Sequence, residues 1–210
     1  MGAITDEDRA GIEEILEYWF GTTEDRDDPD HIMERIRTLW FADDPKVDEE
    51  IRRRFGLIHE RAAAGELDHW RATAPGRMAL LILLDQFSRN MFRESGKAFA
   101  QDHKVRDLAV EGLELGIERQ LAPVERFFLY LPLEHSESLE DQVRSVQCFE
   151  DLHRTASPRE QAYTGTALEY ARKHKAVIER FGRFPHRNEA LGRPSTQEEA
   201  EFVREYGAGF

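Results

Sequence analysis

Three short stretches of this 210-residue chain gather side chains that could do chemistry. In residues 75–93, PGRMALLILLDQFSRNMFR, the polar residues Asp85, Gln86, Arg89, Asn90 and Arg93 are spaced i, i+1, i+4, i+5 and i+8, which puts them on one helix face. A buried charge without a partner is costly, so Asp85 and Arg89, four apart, need each other or a ligand. The structural alternative is an internal salt bridge that locks helices together. Farther on, Arg183, His186, Arg187 and Asn188 form the densest set of donors in a very acidic chain. Arginine forks bind carboxylate and phosphate bidentately, so anion recognition is the functional reading. Glu134, Glu137 or Asp85 could equally fill those forks. Between these two stretches, Glu134 and His135 follow Pro132 and are the candidate base and proton carrier. A plain turn with its histidine tied to backbone is the alternative, and Tyr130 is either core or the wall of a pocket.

No metal is assigned. His174 sits on an apolar stripe and reads as a core histidine, while Glu150 and His153 give one Glu-x-x-His spacing without the second copy a di-iron bundle needs. A mixed site from Glu134, His135, His174 and His186 lacks fixed local spacing. Nucleophile elbows, phosphate loops and dinucleotide fingerprints are absent, so the sequence names no cofactor. The single cysteine, Cys148, excludes an internal disulfide and reads as an inert core thiol in a reducing, cytoplasmic setting.

A formal net charge of −13 argues against nucleic-acid binding, which needs a basic stripe. The longest apolar run, residues 78–84, is far below the roughly 20 residues that span a bilayer. The acidic start TDEDR has no signal-peptide pattern.

The elements that must position these residues read as helices throughout. Thr5 caps the first, with Ile12, Ile15, Leu16 and Trp19 inside and Gly21 as its stop. Ile32, Ile36 and Leu39 carry a second, ending at Trp40 and Phe41. Asp44 and Pro45 start a third that runs to Gly65, followed by a single turn at residues 66–70. Thr73 and Pro75 launch the central helix, whose first half is apolar all round and whose core stripe is Leu80, Leu83, Leu84, Phe87 and Met91. A long helix is expected over about 98–119, with Gly112 and Gly116 permitting a close neighbour. Pro123 starts another that should break at Pro132. Ser138 caps the next, with Leu139, Val143, Val146 and Phe149 inside. Ser157 to Glu160 reads as a capping box for a helix with Tyr163, Ala167, Tyr170, His174 and Ile178 on its stripe. Gly182 ends it, and a last helix runs from near Ser195 or Thr196 to about Tyr206. No alternating strand pattern appears, and short loops make sequential helices antiparallel neighbours.

The blocks DQFSRNMFR, FFLYLPLEHSE and FGRFPHRN, in that order, resemble the mainly bacterial family called domain of unknown function 924, and the likeness covers nearly the whole chain. The resemblance implies a tetratricopeptide-like helical superhelix and carries over no activity or catalytic residue. The expectation is therefore a single all-α domain over residues 1–210, a bundle or superhelix of about eight or nine helices arranged as hairpins. Its three blocks would line an internal polar pocket for a small anionic or aromatic ligand, as a binding protein or an enzyme. The rival reading is an interaction scaffold that holds a peptide or partner protein in a groove. A homodimer is suggested only by the C-terminal Phe210.

Overall fold

The computed structural model describes residues 3–207, and every regular element among them is helical. Phe210, the one hint of a dimer, lies outside the described residues. The α-helical segments are α1 Asp6–Phe20, α2 Pro29–Arg35, α3 Pro45–Ala63, α4 Ala74–Leu81, α5 Ser88–Met91, α6 Asp102–Glu114, α7 Pro123–Glu134, α8 Leu139–Thr155, α9 Gln161–Phe181 and α10 Gln197–Tyr206. The central helix is two of these, α4 and α5, joined by a π-helical turn over Ile82–Phe87. Two compact units emerge, one of Met1–Arg93 with Lys97–Leu129 and one of Glu94–Gly96 with Tyr130–Phe210.

Local chemistry sets many of the helix ends. Thr5 accepts the Asp8 N–H while the Asp8 carboxylate returns to Thr5, a reciprocal box; Thr196 and Glu199 repeat it before α10. Asp44 and Pro45 begin α3, and Thr73 with Pro75 begins α4. Gly182 takes the left-handed conformation (φ 69°) that closes α9. Gly116 does the same (φ 69°) beyond α6, so that helix is shorter than the apolar pattern predicts.

In the first unit the rod of residues 74–91 packs against α1, α3 and α6. Its aromatic heart joins Trp19, Phe20, Trp40, Phe87 and Phe128, with Trp19 edge-on to both Phe87 and Phe128 at 5.5 Å. The first half of the rod is not apolar all round. Arg77 is 1% exposed, and it donates to the Leu108 and Arg71 carbonyls at 2.7 and 2.9 Å. Gly112 makes this possible, because a Cβ there would meet Arg77 Cδ at 3.0 Å. The expected close neighbour of the α6 glycine is thus an arginine stem.

In the second unit α8 and α9 form a closely packed hairpin, and Val177, Ile178 and Phe184 make a core against which Phe181 and Phe202 pack. Five expectations are corrected here. Pro132 lies inside α7 without ending it. Leu139 and Val143 are exposed; the inner face of α8 is Gln142, Ser145, Phe149 and Leu152. The reason is a need for donors: the Gln142 amide reaches the Glu134 and Ser136 carbonyls at 2.6 and 2.7 Å, at the end of α7 where carbonyls lack helical partners. Tyr170 faces outward under Lys173, 4.9 Å from its ring. Cys148 is half-buried rather than in the core, and α9 begins at Gln161, after a turn in which the Ser157 N–H donates to Glu160.

Candidate functional site

The polar face expected on the central rod divides in two. A π turn carries more residues per turn than an α-helix, which rotates the residues beyond it. Asp85 and Gln86 fall inside it and are buried, Asp85 at 2% exposure. Arg89 meets Asp85 at 2.8 Å and takes both oxygens of Asp102 from α6 at 3.1 and 3.2 Å; Gln86 donates to Asp85 at 2.6 Å. Burial opposes the Arg89 charge, but the two carboxylates outweigh it and hold its pKa above the ordinary value. Asn90 and Arg93 turn instead to Asp48 of α3, each at 2.9 Å from Oδ1. Ser88 donates to the Leu84 carbonyl at 2.7 Å and lies 2.8 Å from His59 Nε2. Burial lowers the His59 pKa, keeping the ring neutral at pH 7. Ser88 itself is fully buried, so this serine–histidine pair offers no surface to a substrate.

The second unit holds the other expected residues. Glu134, buried, stands 3.2 Å from His174 Nδ1, which also lies 2.9 Å from the Tyr170 carbonyl. A carbonyl only accepts, so Nδ1 carries the proton. Tyr130 packs edge-on against Phe149 at 5.6 Å, and His135 is half-buried at the end of α7, its N–H on the Leu131 carbonyl at 2.8 Å. Arg183 grips Glu199 through two bonds of 2.6 and 2.8 Å. Asn188 donates to Ser195 and accepts from Arg193, both at 3.0 Å. Arg187 is buried with its guanidinium 4.6 Å from the Phe184 ring centroid, and His186 lies against the same ring at 5.7 Å. Glu137 does fill an arginine fork, that of Arg193, at 2.7 and 2.9 Å. Glu150 and His153 are spent on Arg172 and Thr164. Among the described residues no group of three or more His, Cys, Asp or Glu could hold a metal ion.

Glu199 yields a pH prediction. The Arg183 bonds, foremost, and the Thr196 N–H push its pKa from 4.5 down to about 2. A depressed carboxylate stabilises the fold fully above its unfolded value and loses that contribution as pH falls through the folded one. Between about pH 5 and pH 2 the second unit should lose on the order of 2 kcal/mol from this group. Circular dichroism of Glu199→Gln should show lower stability at pH 7 and a flatter acid limb.

Sequence reasoning missed a third assembly, in the first unit. A cleft of about 560 Å³ is lined by Gly65, Glu66, Asp68, His69, Arg71 and Glu111. Arg71 donates twice to Glu111 Oε2, at 2.9 and 2.7 Å, and the buried Arg77 reaches the same oxygen at 2.8 Å. Lys104 joins Asp68 at 2.8 Å and the Ala62 carbonyl at 2.8 Å. Gly65, at φ 85°, turns the chain at the rim, where a Cβ would meet Asp68 at 3.3 Å. His69 hangs on Asp8, 61 residues earlier, at 3.0 Å. The signal for Asp8 was local, its place in the capping box after Thr5; nothing in the sequence marks its reach to His69.

Similarity to other proteins covers the same span as these elements. The family model described as "Bacterial protein of unknown function", domain of unknown function 924, matches residues 15–207. The chain belongs to that family. A solved structure titled as a protein of unknown function, ATU0120 from Agrobacterium tumefaciens, is 32% identical, with a TM-score of 0.77 over 94% of this chain and 98% of that one. No curated protein matches. The chain's all-helical architecture agrees with the expectation, and no helix among the described residues is long and apolar enough to cross a membrane. Asp8 precedes the matched residues, whereas His69, Arg71 and Glu111 fall within them.

Proposed function

We propose that this chain binds a small ligand bearing an ammonium group, an amino acid or short peptide in class, in the cleft lined by Glu66, Asp68, His69, Arg71 and Glu111. The observation that carries the reading is a cleft of a size usual for small-molecule sites whose three carboxylates, Glu66, Asp68 and Glu111, meet Arg61, Lys104 and Arg71 only across partly exposed bridges that a ligand ammonium can exchange into. The carboxylates suit an ammonium, and Arg71 suits a carboxylate at the other end.

Energetics favour this place over the sites expected from sequence. The Arg71–Glu111 pair is exposed at 35% and 38%, and such pairs contribute only about 0–1 kcal/mol. A ligand ammonium can therefore replace Arg71 on Glu111 at little cost, while the buried Arg77 stays on that carboxylate. Asp85–Arg89 and Arg183–Glu199 each include a buried carboxylate, and breaking such a pair costs more. The reading differs from the anionic ligand that the sequence suggests because the arginine forks at Arg89 and Arg183 are already held by carboxylates. A cytoplasmic setting is part of it, in keeping with one free cysteine.

A second reading, a surface for a partner protein, rests on Phe41, 58% exposed and edge-on to Phe127 at 6.2 Å. The two separate in a calorimetric titration with alanine and alanylalanine. Under the first, Glu66→Gln combined with Asp68→Asn weakens binding about tenfold and Phe41→Ser leaves it unchanged. Failure of both compounds to bind removes the first reading.

A further inference from the structure

The two ring nitrogens of His69 have different surroundings. Nε2 lies 3.0 Å from Asp8 Oδ2. That oxygen also accepts the Thr5 N–H at 2.8 Å and the Thr5 hydroxyl at 2.7 Å, while Asp8 Oδ1 accepts the Trp70 indole N–H at 2.7 Å. A carboxylate gripped by so many donors stays ionised; the Trp70 bond first, then those from Thr5, hold its pKa well below the usual range. It has no proton to give, so Nε2 is the protonated nitrogen of the ring. The lone pair of neutral His69 is then on Nδ1, and that atom has no hydrogen-bond partner among the described residues. Asp8 is buried and His69 lines the cleft, so an anchored carboxylate holds an imidazole at the place where a ligand would sit.

We propose that His69 is a general base that delivers water to the acyl carbon of a small aminoacyl ester or amide bound in this cleft, with Asp8 as its positioning residue. The inference rests on the cleft being the ligand site. In the step, the water oxygen bonds to the acyl carbon as Nδ1 takes a water proton. Collapse of the tetrahedral adduct breaks the bond to the leaving oxygen or nitrogen, which receives that proton from the imidazolium. The products are a free amino acid and an alcohol or amine, and no oxidant, reductant or further reactant is consumed. Asp8 fixes the tautomer and stabilises the imidazolium, the pattern by which carboxylate–histidine pairs support proton transfer. The charged groups around the ring are Asp8 from α1, Glu66, Asp68 and Arg71 from its own stretch, and Lys104 and Glu111 from α6.

The test is hydrolysis of alanine p-nitrophenyl ester by the wild-type chain, His69→Gln and Asp8→Asn, with nitrogen-15 spectra of the imidazole. Expected are a loss of about 100-fold in kcat/KM in His69→Gln and a neutral ring protonated on Nε2. Asp8→Asn should lower kcat at unchanged KM, since the imidazolium formed in the step loses its anion; a residue that only supported the fold would not split the two. If Asp8→Asn fails to fold, His69→Gln and the wild-type spectrum decide alone. An unchanged rate in His69→Gln, or a neutral ring protonated on Nδ1, overturns the inference. Binding of free alanine tells the two failures apart: alanine bound with unchanged rates in His69→Gln removes the base and leaves the cleft, whereas no alanine bound removes both.

Discussion

Replacing Phe87 by alanine is expected to destabilise the first unit by about 3–5 kcal/mol, the usual range for emptying a fully buried phenylalanine site. Phe87 closes the π turn and has no exposed surface. Its ring stacks on Phe55 at 4.8 Å and stands edge-on to Trp19 at 5.5 Å and Tyr18 at 6.0 Å, so one side chain ties the rod to both α1 and α3. Its neighbours belong to two helices, α1 and α3, and cannot all collapse into the space together, which places the cost toward the upper end. Phe87→Leu, which keeps most of the volume, should cost about 1 kcal/mol. Urea denaturation followed by tryptophan fluorescence reads this unit directly, because Trp19, Trp40 and Trp70 all lie within it. A loss below about 1 kcal/mol for the alanine variant would contradict the packing described.

Asp85→Ala should cost about 3 kcal/mol, for an electrostatic reason rather than a volume one. The substitution removes one of the two carboxylates that face the Arg89 guanidinium and the acceptor of the Gln86 amide. A buried donor without its acceptor bears its desolvation cost unrepaid. Asp102→Ala removes the other carboxylate from a more open position and should cost less, about 1–2 kcal/mol. Both changes should leave alanine binding intact, since neither residue lines the cleft. Thermal melts with and without alanine check this: the shift caused by the ligand is expected to match wild type even as the melting temperature falls. A variant as stable as wild type that no longer binds would return the ligand site to the central rod.

What was legible from sequence was what neighbours in the chain decide. The caps at Thr5 and at Ser195 or Thr196, the Asp44–Pro45 start, the Thr73–Pro75 start and the Gly182 stop each depend on a few adjacent residues, and each is where the pattern puts it, whereas the box expected at Ser157 to Glu160 precedes α9 as a turn. Rotation of a helix about its axis is decided farther away. On α8, Leu139 and Val143 look like a core stripe, yet Gln142 and Ser145 point inward because the open carbonyls ending α7 need an amide more than the core needs a leucine. The π turn is likewise invisible locally, for it depends on what the rod packs against. The spacing of Asp85 and Arg89 says that they need each other or a ligand, and they pair with each other; Asp102, which completes the pair, comes from another helix. Arg77 hid in an apolar run because its counter-charge, Glu111, and the glycine that admits its stem are both on α6. His69 hid for the same reason: its value lies in Asp8, a residue whose local role as a cap was complete without it.

The most direct measurement is a titration of nitrogen-15-labelled protein with alanine, read through backbone and imidazole shifts. Ligand at the proposed place predicts saturable changes confined to residues 65–71, Glu111 and the His69 ring. Changes centred instead on Glu134 and His174, on Arg183 to Asn188, or on Asp85 and Asp102, or none at all at saturating alanine, would contradict it.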